Sequence, residues 1–307
     1  MSSQPTGKMH LGNYLGVIKN SVKLAKTTDN FYFGIMDLHA YTSNKYSQYF
    51  IIEAAATLLA CGIPQKSLFV QSHNLVHANL SWFLSCLLSV NELNQMIQWK
   101  EKLKSGNVGN VGLFTYPILQ AADILAYRAT HVPIGEDQTQ HMVLTRKLAN
   151  KCRQFLEAPD YLPVPEAILS EIAKDPVSKM SKSDKSKNGC IFITDSPDSI
   201  RETVKRAKTD IGTKILYDPV KMSGVSNLMT ILGGIKEMDL QSIELEYENL
   251  NRYDKFKDIV AELEYSRWME NKNEIEKILK INACDVTNIA MSTYLNLTNS
   301  YNTKFNK

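Results

Sequence analysis

With 307 residues, 44% of them apolar and a formal net charge of only +3, the chain can bury one large core plus a smaller one. It lacks the charge imbalance of a protein that coats nucleic acid indiscriminately, so any contact with RNA must come from local patches. No run approaches the roughly 18 apolar residues that suggest a membrane span, and the first residues are polar and turn-forming rather than an apolar signal core. The five cysteines, Cys61, Cys86, Cys152, Cys190 and Cys284, form no CxxC pair, which argues against a zinc ribbon or a disulfide framework. A reducing compartment and buried packing are expected for them.

Taken in chain order, the pattern predicts a helix from Leu11 to Ala25, a buried strand over Asn30 to Asp37, and a helix through Glu53 to Cys61 stopped by Gly62 and Pro64. A second strand follows over Ser67 to Gln71. Strands alternating with helices imply a parallel, doubly wound α/β sheet. Asp37, His39, Gln71 and Ser72 fall at strand ends, where such sheets bind ligands. A helix is expected from Pro117 to Tyr127, with Asp123 inside, and Pro133-Ile134-Gly135-Glu136-Asp137 leads into another that runs through His141 and Leu148. Asp160 to Asn188, rich in Pro, Lys and Ser, reads as a linker. From Ser196 the pattern is almost wholly helical, with amphipathic stretches at Asp254 to Trp268 and Asn273 to Ile281, and the Asn/Thr/Ser-rich end from Asn296 is expected to fray. The division expected is a first domain over 1–188 and a helical domain over 189–307, with the chain end packing back near the first.

Two segments point to nucleotide chemistry. Lys179-Met180-Ser181-Lys182-Ser183 puts two cations and two hydroxyls on one short loop, suited to charge developing on phosphates during transfer. Pro5-Thr6-Gly7-Lys8-Met9-His10-Leu11-Gly12-Asn13 sets His10 and Asn13 at a helix start, with Gly12 removing a side chain between them. Each has a bland reading alone, a solvated basic loop and a surface histidine. Gly135 lets backbone approach a ligand and Asp137 can accept from vicinal hydroxyls, although an acidic helix start is also an ordinary cap. Asp123 interrupts an apolar helix, and a buried carboxylate needs a donor, either from the protein or from a ligand. Lys100 and Lys102 end a helix before the glycine-containing run Ser105 to Gly112. His73 and His77 stand at i, i+4 without the glutamate of a zinc-protease helix, so packing or surface roles are expected for them.

In order and separation, His10-Leu11-Gly12-Asn13 and Lys179-Met180-Ser181-Lys182-Ser183 resemble the HIGH and KMSKS signatures of class I aminoacyl-tRNA synthetases. The first signature, Asp37-Leu38-His39 and Gly135-Glu136-Asp137-Gln138 look like the tryptophanyl branch, over about Gln4 to Met291. The resemblance implies a Rossmann-like catalytic domain, a helical anticodon-reading domain and a homodimer. It also implies tryptophan activation by ATP, with Mg²⁺ carried by ATP rather than by a dedicated protein site, and transfer to tRNA(Trp).

Under the same resemblance Lys179, Lys182, His10 and Asn13 are catalytic. Gln4, Gly12, Lys102, Gly135, Asp137, Met180 and Ser181 hold the nucleotide, with the Gly106 to Gly112 segment as a closing element. Asp123 meets the indole, His39, Met36, Ile124, Val132 and Ile134 line its pocket, Gln138 with Tyr116 lies near the ammonium group, and Gln120 is a further substrate-binding residue. Gln120 stands where bacterial relatives usually have Met, and tyrosyl enzymes place a glutamine three residues before a substrate-binding Asp, so tyrosine is the competing substrate. Leu119-Gln120-Ala121-Ala122-Asp123 and Ala129-Thr130-His131-Val132-Pro133 look more like mitochondrial versions, which implies the matrix, with a bacterial cytoplasm as the alternative. The family has a strand ending in Ser-Gly-Ile before Gln-Pro-Thr-Gly, where Met1-Ser2-Ser3 stand here, so a central strand and part of the tryptophan pocket wall are expected to be missing. An RNA-binding protein that keeps the fold without the activity is the reading from a different class.

Overall fold

The structure is a computed structural model that describes residues 2–43, 47–104, 109–169, 191–195, 197–206, 215–236, 238–248, 250 and 272–305. Lys179, Met180, Ser181 and Lys182, like the expected helix from Asp254 to Trp268, lie outside the described residues.

Three short parallel strands, β1 (Ser2–Ser3), β2 (Phe33–Ile35) and β3 (Leu68–Val70), form one sheet in the order β1-β2-β3, with Ser2 opposite Gly34 and Phe33 opposite Leu68. The strand expected to be missing is instead present as a two-residue ladder, because Ser2 and Ser3 supply enough backbone to pair with β2, and the Met36 N–H extends it by donating to the Ser3 carbonyl at 2.8 Å. A second parallel pair joins β4 (His131–Ile134) to β5 (Glu166–Leu169). The two pairings, 3-2-1 and 4-5, follow the doubly wound order of nucleotide-binding α/β folds. Neither β4 nor β5 was legible in the sequence: β4 carries Pro133, a residue that demotes a strand reading, and β5 lies in the stretch read as linker.

The first helix, α1 (residues 11–27), begins as α-helix over Leu11–Asn13, widens to a π-helix over Tyr14–Ile18 and returns to α over Lys19–Thr27. Such one-turn widenings cluster at functional sites, and no residue pattern announces this one. After α2 (Asp37–Ala40) comes α3 (Gln48–Ala60), apolar nearly all round and buried along Ala54, Ala55, Leu58 and Leu59. Gly62, at φ +96°, ends α3 in a left-handed turn: Ile63 N–H donates to the Leu58 carbonyl and Gly62 N–H to Leu59, both at 3.0 Å.

Next come α4 (Val76–Ser85), α5 (Val90–Asn94), α6 (Ile97–Lys104), α7 (Val111–Leu125) and α8 (Thr139–Arg153). The sequence put Pro117 at a helix start, but α7 begins six residues earlier, where Asn110 Oδ1 accepts the Leu113 N–H at 2.7 Å, and Pro117 is buried mid-helix. Gly112 therefore belongs to α7 and not to a glycine loop. Buried faces of α4, α7 and α8 form one core, with Leu80, Leu84, Ile118, Leu125, Leu144 and Leu148 at its centre.

The remaining helices are α9 (Pro197–Arg206), α10 (Ser223–Lys236), α11 (Leu240–Tyr247) and α12 (Lys272–Phe305). Val225, Leu228, Met229, Leu232 and Ile243 close on Leu11 and Leu15 of α1, so these helices seat directly on the helix that carries the first signature. The chain end is ordered helix rather than frayed, because Leu297 is buried and Tyr301 packs edge-on against Phe83 and Phe155 at 5.5 and 5.3 Å. Cys152 is buried and Cys61 half-buried as expected of packing residues, but Cys86 is exposed, at the C-terminal end of α4. No described helix is long and apolar enough to cross a membrane.

Candidate active site

At the start of α1, His10 and Asn13 cap one another. His10 N–H donates to Asn13 Oδ1 at 3.1 Å, and His10 Nδ1 accepts the Asn13 N–H at 3.3 Å. His10 is therefore no surface histidine; it is 9% exposed and fixed by a reciprocal box. A side chain at Gly12 would place its Cβ 3.1 Å from the His10 ring, so glycine keeps that ring in place. Gly7, at φ +144°, turns the chain just ahead, and Gln4 is exposed before the turn. Ile191 and Ile193 pair antiparallel with the same segment: Leu11 N–H donates to the Ile191 carbonyl and Ile193 N–H to the Met9 carbonyl, each at 2.9 Å. The chain that follows the lysine-bearing segment thus returns to His10.

Across the sheet ends lies a buried polar network around Asp123 of α7. Asp123 Oδ1 accepts from Gln71 Nε2 at 2.7 Å and from His77 Nδ1 at 2.8 Å, and Oδ2 accepts from His39 Nε2 at 2.8 Å. Burial pushes this carboxyl up, but the hydrogen bonds and charges of His39 and His77 outweigh it and hold it at about 2. Of the two partners the sequence allowed, protein or ligand, the protein supplies three donors. His39 is 4% exposed, and its Nδ1 has no partner among the described residues, nor has Asp37 Oδ2 beside it. Of the apolar pocket candidates, Ile124, Val132 and Ile134 pack together with Met142, whereas Met36 packs separately against Phe69 and Val286.

A second network joins Tyr116 and Gln138, the residues expected near an ammonium group, with Gln120 and His141. Gln138 Oε1 accepts from Gln120 at 3.2 Å and pairs with His141 Nδ1 at 2.8 Å, and Gln138 Nε2 donates to Asp137 Oδ2 at 2.8 Å. The Tyr116 hydroxyl lies 2.6 Å from Gln98 Oε1 and 3.1 Å from His141 Nε2, and burial with the Asp137 charge raises it to about 12. Tyr116, Gln120 and Gln138 are thus one connected cluster. A Cβ at Gly135 would fall 2.7 Å from Asp137 Oδ1, so that glycine gives the carboxylate its room. Lys102 belongs to α6, and its side chain lies outside the described set.

Sequence reasoning placed Gln71 at a ligand-binding strand end without linking it to Asp123, and it missed His77, Tyr127 and His141 as parts of these networks. Gln71 carried a signal in its strand-end position and His77 in its metal-like spacing. Tyr127 and His141 carried none beyond their place on expected helices.

A parallel sheet of this order, glycines where a ligand needs room, a capped histidine at a helix start and buried carboxylate chemistry at strand ends define a nucleotide-using α/β enzyme. The family model of tRNA synthetases class I (W and Y) matches residues 1–280. The mitochondrial tryptophan–tRNA ligase of Saccharomyces cerevisiae is 39% identical over 305 residues, covering 90% of this chain and 80% of that protein. The tryptophan–tRNA ligase of Clostridium tetani is also 39% identical, over 94% of this chain and 91% of that protein. The tryptophanyl-tRNA synthetase of Campylobacter jejuni complexed with ADP and tryptophan superimposes with a TM-score of 0.77 at 27% identity, over 100% of this chain and 98% of that one. The chain belongs to the class I tRNA synthetases for tryptophan and tyrosine. Within that family it stands with the tryptophan–tRNA ligases, ATP-using enzymes of the aminoacyl-tRNA synthetase class.

Proposed function

We propose that the chain selects tryptophan through Asp123, adenylates it with ATP and transfers it to tRNA(Trp). The observation that carries this reading is an ionised carboxylate, 9% exposed on an apolar helix and held by three donors, one of them His39, whose Nδ1 has no partner among the described residues. A carboxylate has about four acceptor positions, so three donors leave one for an indole N–H. Ile124, Val132 and Ile134 offer apolar wall on one side, Met36 on the other, and the cluster of Tyr116, Gln120 and Gln138 suits an ammonium group.

The nucleotide is assigned to Gln4, His10, Gly12 and Asn13 on one side and to Gly135 and Asp137 on the other, with Lys102, Met180 and Ser181 as further nucleotide-binding residues. The glycine positions fit such a ligand, since neither tolerates a side chain without displacing His10 or Asp137. In the first step a tryptophan carboxylate oxygen bonds to the α-phosphorus of ATP and the bond to pyrophosphate breaks. Lys179 and Lys182 stabilise the charge that develops on the departing phosphates, where Mg²⁺ bound to ATP would add positive charge. In the second step a hydroxyl of the terminal adenosine of tRNA attacks the activated carbonyl and AMP leaves. No side chain forms a covalent bond in either step.

Residues 1–188 are proposed as the catalytic domain and 189–307 as the anticodon-binding domain, with two chains forming a homodimer so that one tRNA touches both. The segment Leu119 to Asp123 and the 39% identity to a mitochondrial relative support the mitochondrial matrix as its place of action. The bacterial cytoplasm is the alternative that the Clostridium relative supports equally.

Amino-acid-dependent exchange of pyrophosphate into ATP tests the reading. Tryptophan drives exchange and tyrosine does not. Exchange driven by tyrosine as well would overturn the assignment of Asp123, and no exchange with any amino acid would favour an RNA-binding protein that keeps only the fold.

A further inference from the structure

His73 and His77 share metal-like spacing, yet the fold separates them: His73 is exposed and His77 is fully buried. His77 Nδ1 lies 2.8 Å from Asp123 Oδ1, and its Nε2 lies 2.7 Å from the Tyr127 hydroxyl. Asp123 is ionised and can only accept, so His77 Nδ1 carries a proton and donates to Oδ1. Nε2 pairs with the Tyr127 hydroxyl, whose oxygen accepts the Asn74 amide at 3.3 Å.

The other donor to Oδ1 is equally fixed. Gln71 Oε1 accepts the Leu38 N–H at 3.1 Å, so the amide cannot flip, and Gln71 Nε2 must face Asp123. The His77 ring stacks on Phe69 at 5.8 Å and 20°, and Tyr127 stacks on Tyr32 at 5.5 Å, which locks both rings in place. Two donors therefore consume Oδ1, while Oδ2 has His39 alone.

We infer that His77, oriented by Tyr127, is a positioning residue for amino-acid selection: by occupying Asp123 Oδ1 it leaves the one remaining acceptor position on Oδ2 and makes an N–H on the substrate ring a requirement. The inference rests on the reading that Asp123 meets the indole. Without His77, Oδ1 regains a lone pair and the carboxylate can turn, so the demand for a donor in one place is lost.

The test compares kcat/KM in pyrophosphate exchange for tryptophan and for its benzothiophene isostere, in which sulfur replaces the indole N–H. The unmodified chain is expected to prefer tryptophan by a large factor, on the order of 10⁴. His77→Leu lowers that preference at least about tenfold, mainly through KM for tryptophan, with KM for ATP unchanged. His77→Asn, whose amide can reproduce the Nδ1 donor, restores most of it. Tyr127→Phe keeps the ring and removes the Nε2 contact that orients His77, so a smaller fall is expected there even if the leucine variant fails to fold. Equal losses for both substrates in His77→Leu, or an unchanged preference in Tyr127→Phe, would reduce His77 to packing. Should the unmodified chain itself accept the isostere as well as tryptophan while still refusing tyrosine, the Asp123 reading fails first.

Discussion

The side-chain amide of Asn282 donates to the backbone carbonyl of Leu68 at 2.7 Å. Leu68 begins β3, which lies at the outer end of the β1-β2-β3 sheet, and Asn282 also donates to the Gln65 carbonyl. One polar residue of α12 thus satisfies a carbonyl of β3 and one just before it, at an end of the sheet among the described residues, where unpaired backbone groups invite unwanted pairing. Ile278 and Leu279 of α12 pack beside it on the core that contains Phe33, Ile35 and Val70. Asn282→Ala leaves two carbonyls without their donor at a site only 7% exposed. A loss of roughly 1–3 kcal/mol is expected, read as a lower urea midpoint. An unchanged midpoint would mean that water replaces the amide at no cost.

The end of α12 makes a second contact with the first half of the chain. Tyr301 meets Phe83 and Phe155 edge to face, at interplanar angles of 89° and 88°. Each such pair is worth about 0.5–1.5 kcal/mol beyond its buried area. Tyr301→Ala should therefore cost about 1–3 kcal/mol, and deletion of residues 296–307 should cost more because Leu297 goes with it. Thermal melting of both variants checks this, and a deletion that melts like the full chain would restore the frayed end that composition suggested.

Acid offers a direct view of Asp123. Its carboxyl titrates at about 2 in the fold against an ordinary value of 3.8, so the network's contribution is complete above about pH 4 and is lost as pH falls toward 2. The contribution amounts to about 2 kcal/mol. Asp123→Asn sets an amide N–H against a donor of His39, so that variant is less stable at neutral pH, and the gap to the unmodified chain should narrow through this window. A gap that stays constant between pH 5 and 2 would show that His39 and His77 do not hold the carboxylate ionised.

How much of this was legible depended on whether the signal was local. The helix from Leu11, the strands ending at Ile35 and Val70, the stop at Gly62 and the helical second half follow from periodicity and turn chemistry, which neighbours in sequence carry. The π-helical turn at Tyr14–Ile18, the strand through Pro133 and the mid-helix Pro117 are imposed by packing, and composition argued against two of them. At the site, Asp123 was conspicuous because an acid in an apolar helix demands a partner. The partners were not conspicuous: Gln71, His77 and Tyr127 come from three separate elements, and only the fold brings them within 3 Å of a common atom or of one another.

Lys179 and Lys182 are expected to act on the transition state more than on bound substrate, since charge on the phosphates grows only as the bond to pyrophosphate breaks. Replacing either with Ala should lower kcat for adenylation by roughly 10²–10³, the scale of losing one preorganised electrostatic partner, with KM for tryptophan little changed. Single-turnover kinetics separates the two effects. Normal turnover with only a raised KM for tryptophan would move these lysines out of catalysis.

Gly135 provides a test of the nucleotide side that stability cannot mimic. A Cβ there would lie 2.7 Å from Asp137 Oδ1, and the atom it strikes is the tip of an exposed side chain, free to swing aside. Gly135→Ala is therefore expected to fold and melt like the unmodified chain, because the clash is relieved without disturbing backbone or core. The displaced carboxylate also loses its contact with Gln138 Nε2, at 2.8 Å in the native arrangement. If Asp137 accepts from the ribose hydroxyls, KM for ATP should rise about tenfold or more while the preference for tryptophan over tyrosine persists, since Asp123 and its donors are untouched. An unchanged KM for ATP in a normally folded variant would remove Asp137 from the nucleotide site, whereas a lost preference for tryptophan would place Gly135 in the amino-acid pocket instead.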